Sequence, residues 1–77
     1  MLTRDDLARA GRILFGERWQ TDMAAALKLG DSARIRQFMS GYRSIPDGIA
    51  DEIVVLLRVN AAAASALADK IETGRDK

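Results

Sequence analysis

The longest part of the chain without a helix-breaking signal lies near its C-terminus, and it restricts the folds open to the sequence. Residues 47–73 contain no proline and no cluster of turn residues, so the sequence predicts one helix over that range. Pro46 suits the first turn of this helix, because the N–H that proline lacks would be unpaired there. Gly74 suits its end. In a chain of 77 residues, only the part before Pro46 remains to build the rest of a core.

That earlier part has apolar residues at spacings of three and four and no sustained alternation, which indicates helices and no strand. The predicted fold class is therefore all-α. We expect a small helical bundle of about four helices with a long C-terminal helix, formed as a single domain from residues 1–77.

The predicted long helix has apolar residues on two sides. One seam comprises Ile49, Ile53, Leu56, Asn60, Ala63 and Leu67, and the other comprises Val55, Val59, Ala62 and Ala66. A helix that is apolar on two sides needs two neighbours, and its own domain supplies only one of them. We therefore predict a homodimer whose interface includes Val55, Val59, Asn60, Ala63 and Leu67, with the shared seam and the orientation left open.

The absence of cysteine and histidine supports the same expectation. A chain of this size usually needs a disulfide, a metal or a partner subunit in addition to its core. Without these two residue types it has no disulfide, no thiolate and no usual ligand for structural zinc, so we expect no cofactor and no metal. Asn60 has two interpretations: it faces water at the end of the core, or it fixes the register of a helix pair.

The first predicted helix starts at Thr3, whose hydroxyl can cap free amides while Asp6 reaches back to the backbone of Thr3. Its buried side is predicted to be Leu7, Ala10, Ile13 and Leu14, and Gly16 is its expected stop. We interpret Trp19, placed before the next helix, as an apolar anchor that packs on the first one.

Two shorter helices are predicted next. The second covers about residues 20–27 and buries Met23, Ala24 and Leu27. Residues 28–31 break it, with Gly30 free to adopt a positive φ. The third covers about residues 32–40, with Asp31 or Ser32 as its cap and with Ile35, Phe38 and Met39 as its buried stripe.

Two short helices joined by a tight turn, with arginines on the free face of the second, are the arrangement of a helix-turn-helix over about residues 20–40. The segment 20–46 resembles the lambda-repressor-like (XRE/Cro) family of DNA-binding regulators. The residues that carry the resemblance are Gln20, Met23, Ala24, Leu27, Ile35, Phe38, Ser40, Gly41, Arg43, Ile45 and Pro46. The turn is one residue longer than the usual Leu-Gly-Val-Ser of the family, so positions in the third helix are counted from Ile35.

Counted in this way, the resemblance implies a set of contacts to double-stranded DNA. Base contacts fall on Ser32, Ala33, Arg34, Arg36 and Gln37, and phosphate contacts fall on Gln20, Ser40, Tyr42 and Arg43. The residue types agree, because arginine can bind guanine and glutamine can bind adenine through paired hydrogen bonds. The alternative is that this face of the helix is only a solvated, charged surface.

The charge distribution agrees weakly with nucleic-acid binding. Residues 1–43 carry eight basic and five acidic side chains, whereas residues 44–77 carry four basic and six acidic ones. Nine of the twelve basic residues are arginine, whose planar group suits phosphates and guanine edges. A bias of this size is also common on ordinary protein surfaces.

Enzymatic functions find little support in the sequence. The adjacent acidic pairs, Asp5 with Asp6 and Asp51 with Glu52, point about 100° apart on a helix and cannot act together as paired catalytic carboxylates. No histidine is present to activate a serine, and the glycines form no phosphate-binding loop. We expect no enzymatic activity.

The resemblance implies a transcriptional regulator, specifically a homodimeric repressor acting on a two-fold symmetric operator. The alternative is a protein-interaction module, such as an antitoxin or an adaptor, that binds its partner through the long C-terminal helix. The first residues do not resemble a signal peptide, and the longest apolar runs are far shorter than the roughly 20 residues that span a bilayer. We therefore expect a cytoplasmic protein without membrane contact.

Overall fold

The computed structural model describes residues 2–75 and confirms the all-α fold class. Within that range the chain forms no strand and four helices: α1 (Arg4–Phe15), α2 (Trp19–Ala26), α3 (Ala33–Ser40) and α4 (Asp47–Arg75). α1 is central, because it packs against each of the other three helices. α2 and α3 also pack against each other, whereas α4 is held to the domain through α1.

The start of α1 has the predicted capping box. The Asp6 N–H donates to Thr3 Oγ1 at 3.0 Å, and the Thr3 N–H donates to Asp6 Oδ2 at 3.4 Å. Two amides that the helix cannot pair by itself are thereby satisfied. The helix ends at Gly16, which has a φ of +85° and whose N–H donates to the Arg12 carbonyl at 3.0 Å.

The buried side of α1 differs from the prediction at one position. Ile13 is 65% exposed, so its assignment to the core is wrong. The core instead takes the small residues Ala8 and Gly11, together with Leu7 and Ala10. The reason is that α2 approaches α1 over these small residues, on a side of the helix from which Ile13 points away.

Trp19 accounts for this close approach. It is the first residue of α2, rather than a loop residue, and is only 3% exposed. A Cβ added to Gly11 would lie 2.2 Å from Trp19 Cε3 and 2.3 Å from Trp19 Cδ2. The indole ring therefore lies directly on the backbone of α1, and this contact fixes where α2 begins.

The core is small and wholly apolar, with no buried polar or charged residue in the described part of the chain. Its members come from all four helices and from the turn after α2. They are Leu7, Ala8, Ala10, Trp19, Met23, Ala24, Leu27, Ile35, Phe38 and Ile53.

The turn between α2 and α3 begins with a Schellman motif. The Leu29 N–H donates to the Ala24 carbonyl at 2.8 Å, and the Lys28 N–H donates to the Ala25 carbonyl at 3.1 Å. Lys28 occupies the left-handed position of this motif, with a φ of +58°, and no other non-glycine residue in the described range has a positive φ. Gly30 also has a positive φ, as predicted.

The sequence left two possible caps for α3, Asp31 and Ser32, and the structure shows which one caps the helix. Asp31 provides the capping bond, since its Oδ1 accepts from the Ala33 N–H at 2.9 Å. Ser32 makes no side-chain capping bond. Its hydroxyl oxygen instead accepts a hydrogen bond from Arg36 Nη1.

α4 is longer than predicted, and most of its residues do not pack against the core of the domain. The Pro46 carbonyl accepts from the Ala50 N–H at 3.2 Å at its start, and the helix continues through Gly74 to Arg75. Gly74 is therefore not its end. Ile53 is buried and a few neighbours are half-buried, but every residue in the range 58–75 is exposed.

The exposed end of α4 shows where its first seam leaves the core. Ile53 is buried and Ile49 and Leu56 are half-buried, whereas the later members of this seam, Asn60, Ala63 and Leu67, are exposed. The free part, residues 58–75, would be about 27 Å long at 1.5 Å per residue. The molecule is accordingly elongated, measuring 54 × 23 × 20 Å. No helix within residues 2–75 has both the length and the apolar character needed to cross a bilayer.

Six of the eight residues in the range 61–68 are alanine. Alanine has the highest helix propensity, which explains how this part of α4 can be helical without contacts to the rest of the domain.

Candidate nucleic-acid interface

The outer face of α3 carries most of the predicted base-contacting residues. Ile35 and Phe38 are buried on its inner side, whereas Arg34 and Arg36 are exposed and Gln37 is half-buried. Ser32 and Ala33, at the start of the helix, are also half-buried. Four of the five predicted base-contacting residues share one side, namely Ser32, Ala33, Arg36 and Gln37. Arg34 lies apart from them, because it is two residues before Arg36 and points about 160° away from it.

Arg36 is partly ordered by its neighbour one turn earlier. Its Nη1 donates to the hydroxyl oxygen of Ser32, which joins two of the predicted base-contacting residues. A guanidinium has five N–H donors, so this bond leaves most of them free. The bond also directs the Arg36 side chain toward the N-terminal end of α3.

The N-terminus of α2 is the predicted phosphate site around Gln20. Gln20 is the second residue of α2 and is half-buried, and Arg18 at the cap position makes no side-chain capping bond. The first amides of a helix carry a partial positive charge that favours an anion. Asp22 places one carboxylate in the same turn.

The segment after α3 carries the remaining predicted phosphate contacts. Tyr42 is 77% exposed and Arg43 is exposed. The Ser40 hydroxyl donates to the Gln37 carbonyl at 3.1 Å and accepts from the Tyr42 N–H at 3.3 Å. Since its single proton is already used, Ser40 would have to break this bond before it could donate to a phosphate.

One basic residue near this segment was missed by the sequence analysis. Arg4, in the first turn of α1, donates from Nη1 to the Met39 carbonyl at 3.2 Å. The two residues are 35 positions apart, and no spacing rule connects them. Only the packing of α1 against α3 brings Arg4 to the end of the candidate interface.

The five predicted dimer residues are all exposed on α4. Val55 is 59%, Val59 63% and Leu67 57% exposed, and Asn60 and Ala63 are also free of the core. Ile71, which was not among the predicted interface residues, is 55% exposed. The apolar surface of the free helix therefore extends one turn beyond Leu67.

The polar chemistry of the described residues is confined to the surface. No buried side-chain nitrogen or oxygen in residues 2–75 lacks a hydrogen-bond partner. Over the same range, no group of three or more acidic side chains lies where it could share a cation.

No protein-family model, curated protein or solved structure matches this chain.

Proposed function

We propose that this chain is a sequence-specific DNA-binding regulator of the lambda-repressor-like kind, acting as a homodimeric repressor on a two-fold symmetric operator. The observation that carries the proposal is the pair α2 and α3 with the intervening turn. α3 has a buried apolar side at Ile35 and Phe38 and, opposite to it, a side with the exposed Arg36 and the half-buried Gln37. A helix of this kind fits the major groove of B-DNA, which is about 12 Å wide.

The close packing of α2 on α3 supports this proposal. Ala24, the small residue of the motif, is 1% exposed, and the neighbouring Met23 is fully buried. A small side chain at this position would let the two helices cross closely, as the helices of a helix-turn-helix do.

The residues on the exposed side suit direct base readout. Arg36 can donate two hydrogen bonds to guanine, and Gln37 can exchange two with adenine. Gln20 at the start of α2 and Arg43 after α3 would then bind phosphates beside the groove. Such backbone contacts set the register of the protein on the duplex, while the base contacts carry the sequence information.

The free part of α4 supports the homodimer. Residues 58–75 expose apolar side chains that no part of the described domain covers, including Val59, Leu67 and Ile71. A second copy would cover them and would also supply the second half-site contact, about one helical turn or roughly 34 Å away.

Binding is tested by selecting duplexes from a random library with the full chain. The dissociation constants of the selected duplex and of a scrambled duplex are then compared at several salt concentrations. The proposal expects the selected duplex to bind at least about a thousandfold more tightly, as specific sites usually do. Equal affinity for both duplexes would contradict sequence-specific recognition.

The homodimer is tested by sedimentation equilibrium at micromolar concentration. Val59→Glu and Ala63→Glu should weaken the dimer without unfolding the domain, because both side chains lie outside the core. Ser65→Glu is the matched control, since it adds the same charge on the polar face of α4. A monomeric wild type, with DNA affinity unchanged in both glutamate variants, would remove α4 as the interface.

The orientation of the two α4 helices can be read from engineered cysteines, since the chain has none of its own. In a parallel pair, both Asn60→Cys and Ile71→Cys would form disulfide-linked dimers if this face is shared. In an antiparallel pair, a residue on one side of the two-fold axis faces the residue that lies equally far on the other side. Two cysteines at such a pair of positions would cross-link each other, so a mixture of the two single variants would form the disulfide and neither variant alone would.

The exposed apolar face of α4 also supports the second candidate, a module that binds another protein through this helix. This alternative predicts no selective duplex binding and no self-association. It further predicts that Val59→Glu abolishes partner binding while Arg36→Ala does not.

A further inference from the structure

Arg4 links the beginning of α1 to the end of α3. Its Nη1 donates to the Met39 carbonyl at 3.2 Å. The last carbonyls of a helix have no partner within the helix and carry a partial negative charge, so a guanidinium is well suited to cap them. The contact also fixes the position of the Arg4 side chain, which is otherwise exposed.

Arg4 shares a surface cleft with Arg43. The cleft is lined by Leu2, Arg4, Phe38, Gly41, Arg43, Ser44 and Ile45, and no carboxylate is among these residues. Arg4 also lines a neighbouring depression, where the other lining residues are Thr3, Asp5 and Met39. Two positive charges therefore border one opening without an acidic side chain in its wall.

Gly41 favours this arrangement. Its φ is +83°, and a Cβ at this position would lie 3.3 Å from Arg4 Nη1. The absence of a side chain lets the guanidinium come close to the backbone at the end of α3. Because only one N–H of Arg4 is used on Met39, the remaining donors can bind a second acceptor.

We propose that this cleft binds a phosphodiester group of the DNA backbone between the guanidinium groups of Arg4 and Arg43. The inference rests on the proposed function, because the cleft adjoins the end of α3 and would meet the strand that borders the groove. Arginine suits this ligand, since its planar donor pairs match two phosphate oxygens. α1 thereby becomes part of the DNA interface.

The test compares the dependence of DNA affinity on salt in wild type, Arg4→Gln, Arg4→Lys and Arg75→Gln. Each neutralised phosphate contributes close to one unit to the slope of log affinity against log salt. Arg4→Gln should therefore reduce the slope by about one, while Arg4→Lys keeps the charge and a slope near that of wild type. Arg75→Gln is the control, because it removes one exposed positive charge at the far end of α4.

The outcomes distinguish a failure of the inference from a failure of the proposed function. If Arg4→Gln and Arg75→Gln both retain the wild-type slope, the phosphate role of Arg4 is overturned while DNA binding stands. If the wild type binds no duplex, both the function and the inference fail. Thermal unfolding of the four proteins shows whether loss of the Met39 contact has altered the fold. If Arg4→Gln is unstable, the NMR titration of the wild type tests the site without any substitution.

Inorganic phosphate distinguishes a backbone site from a site for the free anion. The Nε–Hε NMR signals of Arg4, Arg43 and Arg75 are followed during titration with phosphate and, separately, with the selected duplex. The inference expects the duplex to shift the signals of Arg4 and Arg43 but not the signal of Arg75. Phosphate at millimolar concentration should affect the three signals to the same extent. Selective shifts with phosphate alone, together with an unchanged salt slope in Arg4→Gln, would overturn it.

Discussion

Replacing Gly11 with alanine tests the contact that positions α2 and hence the start of the candidate interface. The added Cβ would lie 2.2, 2.3 and 2.8 Å from Cε3, Cδ2 and Cγ of Trp19. Unstrained carbon atoms are separated by about 3.5–4.0 Å, so the indole would have to move by more than about 1 Å. Because Trp19 is only 3% exposed, that movement must displace other core side chains.

The expected cost follows from two opposing effects. Overpacking of a filled core typically costs about 1–3 kcal/mol. A clash with ring atoms close to the Cβ of Trp19 belongs at the upper end of that range, because rotation of the side chain moves these atoms little. Alanine regains up to about 1 kcal/mol through its higher helix propensity. The net destabilisation should be about 2 kcal/mol, which for a domain of this size lowers Tm by roughly 8–16 °C.

Gly48→Ala provides the matched control. Gly48 also lies in a helix, but a Cβ there would meet no atom within 4 Å. This variant should be unchanged or up to about 1 kcal/mol more stable. Urea unfolding followed by circular dichroism, at one fixed protein concentration, measures both variants and keeps any dimerisation effect constant.

A double variant checks the mechanism. Trp19→Leu removes the indole that the alanine would strike, so Gly11→Ala should cost much less in that background than in wild type. If Gly11→Ala is as stable as Gly48→Ala, or if its cost is the same with Leu at position 19, the account of how α2 is positioned is wrong.

Three further predictions concern the turn and the DNA contacts. Lys28→Gly should stabilise the fold by about 0.5–1 kcal/mol, because glycine adopts a positive φ without strain, whereas Lys28→Ala should give no gain; urea unfolding of both variants measures this. Arg36→Ala and Gln37→Ala should each cost about 1–3 kcal/mol on the selected duplex and relax preference at one base pair, and equal affinity in both variants would show that the positions counted from Ile35 are wrong. Gln20→Ala and Arg43→Ala should weaken binding to all duplexes alike, with the salt slope reduced by about one for Arg43→Ala only, and a changed sequence preference without a changed slope would contradict their phosphate roles.

Local signals in the sequence were sufficient to predict the helices. The cap at Thr3, the stop at Gly16 and the long helix after Pro46 each depend on a few neighbouring residues. Such signals act within one turn, and the structure confirms the all-α class they indicate.

The errors of the sequence analysis arise where helices meet. Ile13 is apolar and at helical spacing, and it was therefore predicted to be buried. The buried side of α1 is instead the side that contacts Trp19 at Gly11, and Ile13 is exposed. Likewise the regular seam through Asn60 and Leu67 continues past the point where the core ends. Periodicity predicts which residues share a helix face, but not how far a neighbouring helix extends along that face.

The candidate interface was only partly accessible from the sequence. Ser32, Ala33, Arg36 and Gln37 recur at spacings of three and four, so the side that they share follows from helix geometry, which also separates Arg34 from them. Arg4 reaches Met39 only through tertiary packing, and no local pattern indicates that contact. The hydrogen bonds of Ser32 and Ser40 also depend on side-chain orientations that the sequence does not fix.

The most direct test of the central claim is to map backbone amide chemical shifts of the full chain as the selected duplex is added. The account predicts the largest changes at the start of α2, along residues 32–40 and at Tyr42 and Arg43, with smaller changes over residues 58–75. Changes confined to the free part of α4, or changes that are equal for a scrambled duplex, would contradict sequence-specific recognition by α3.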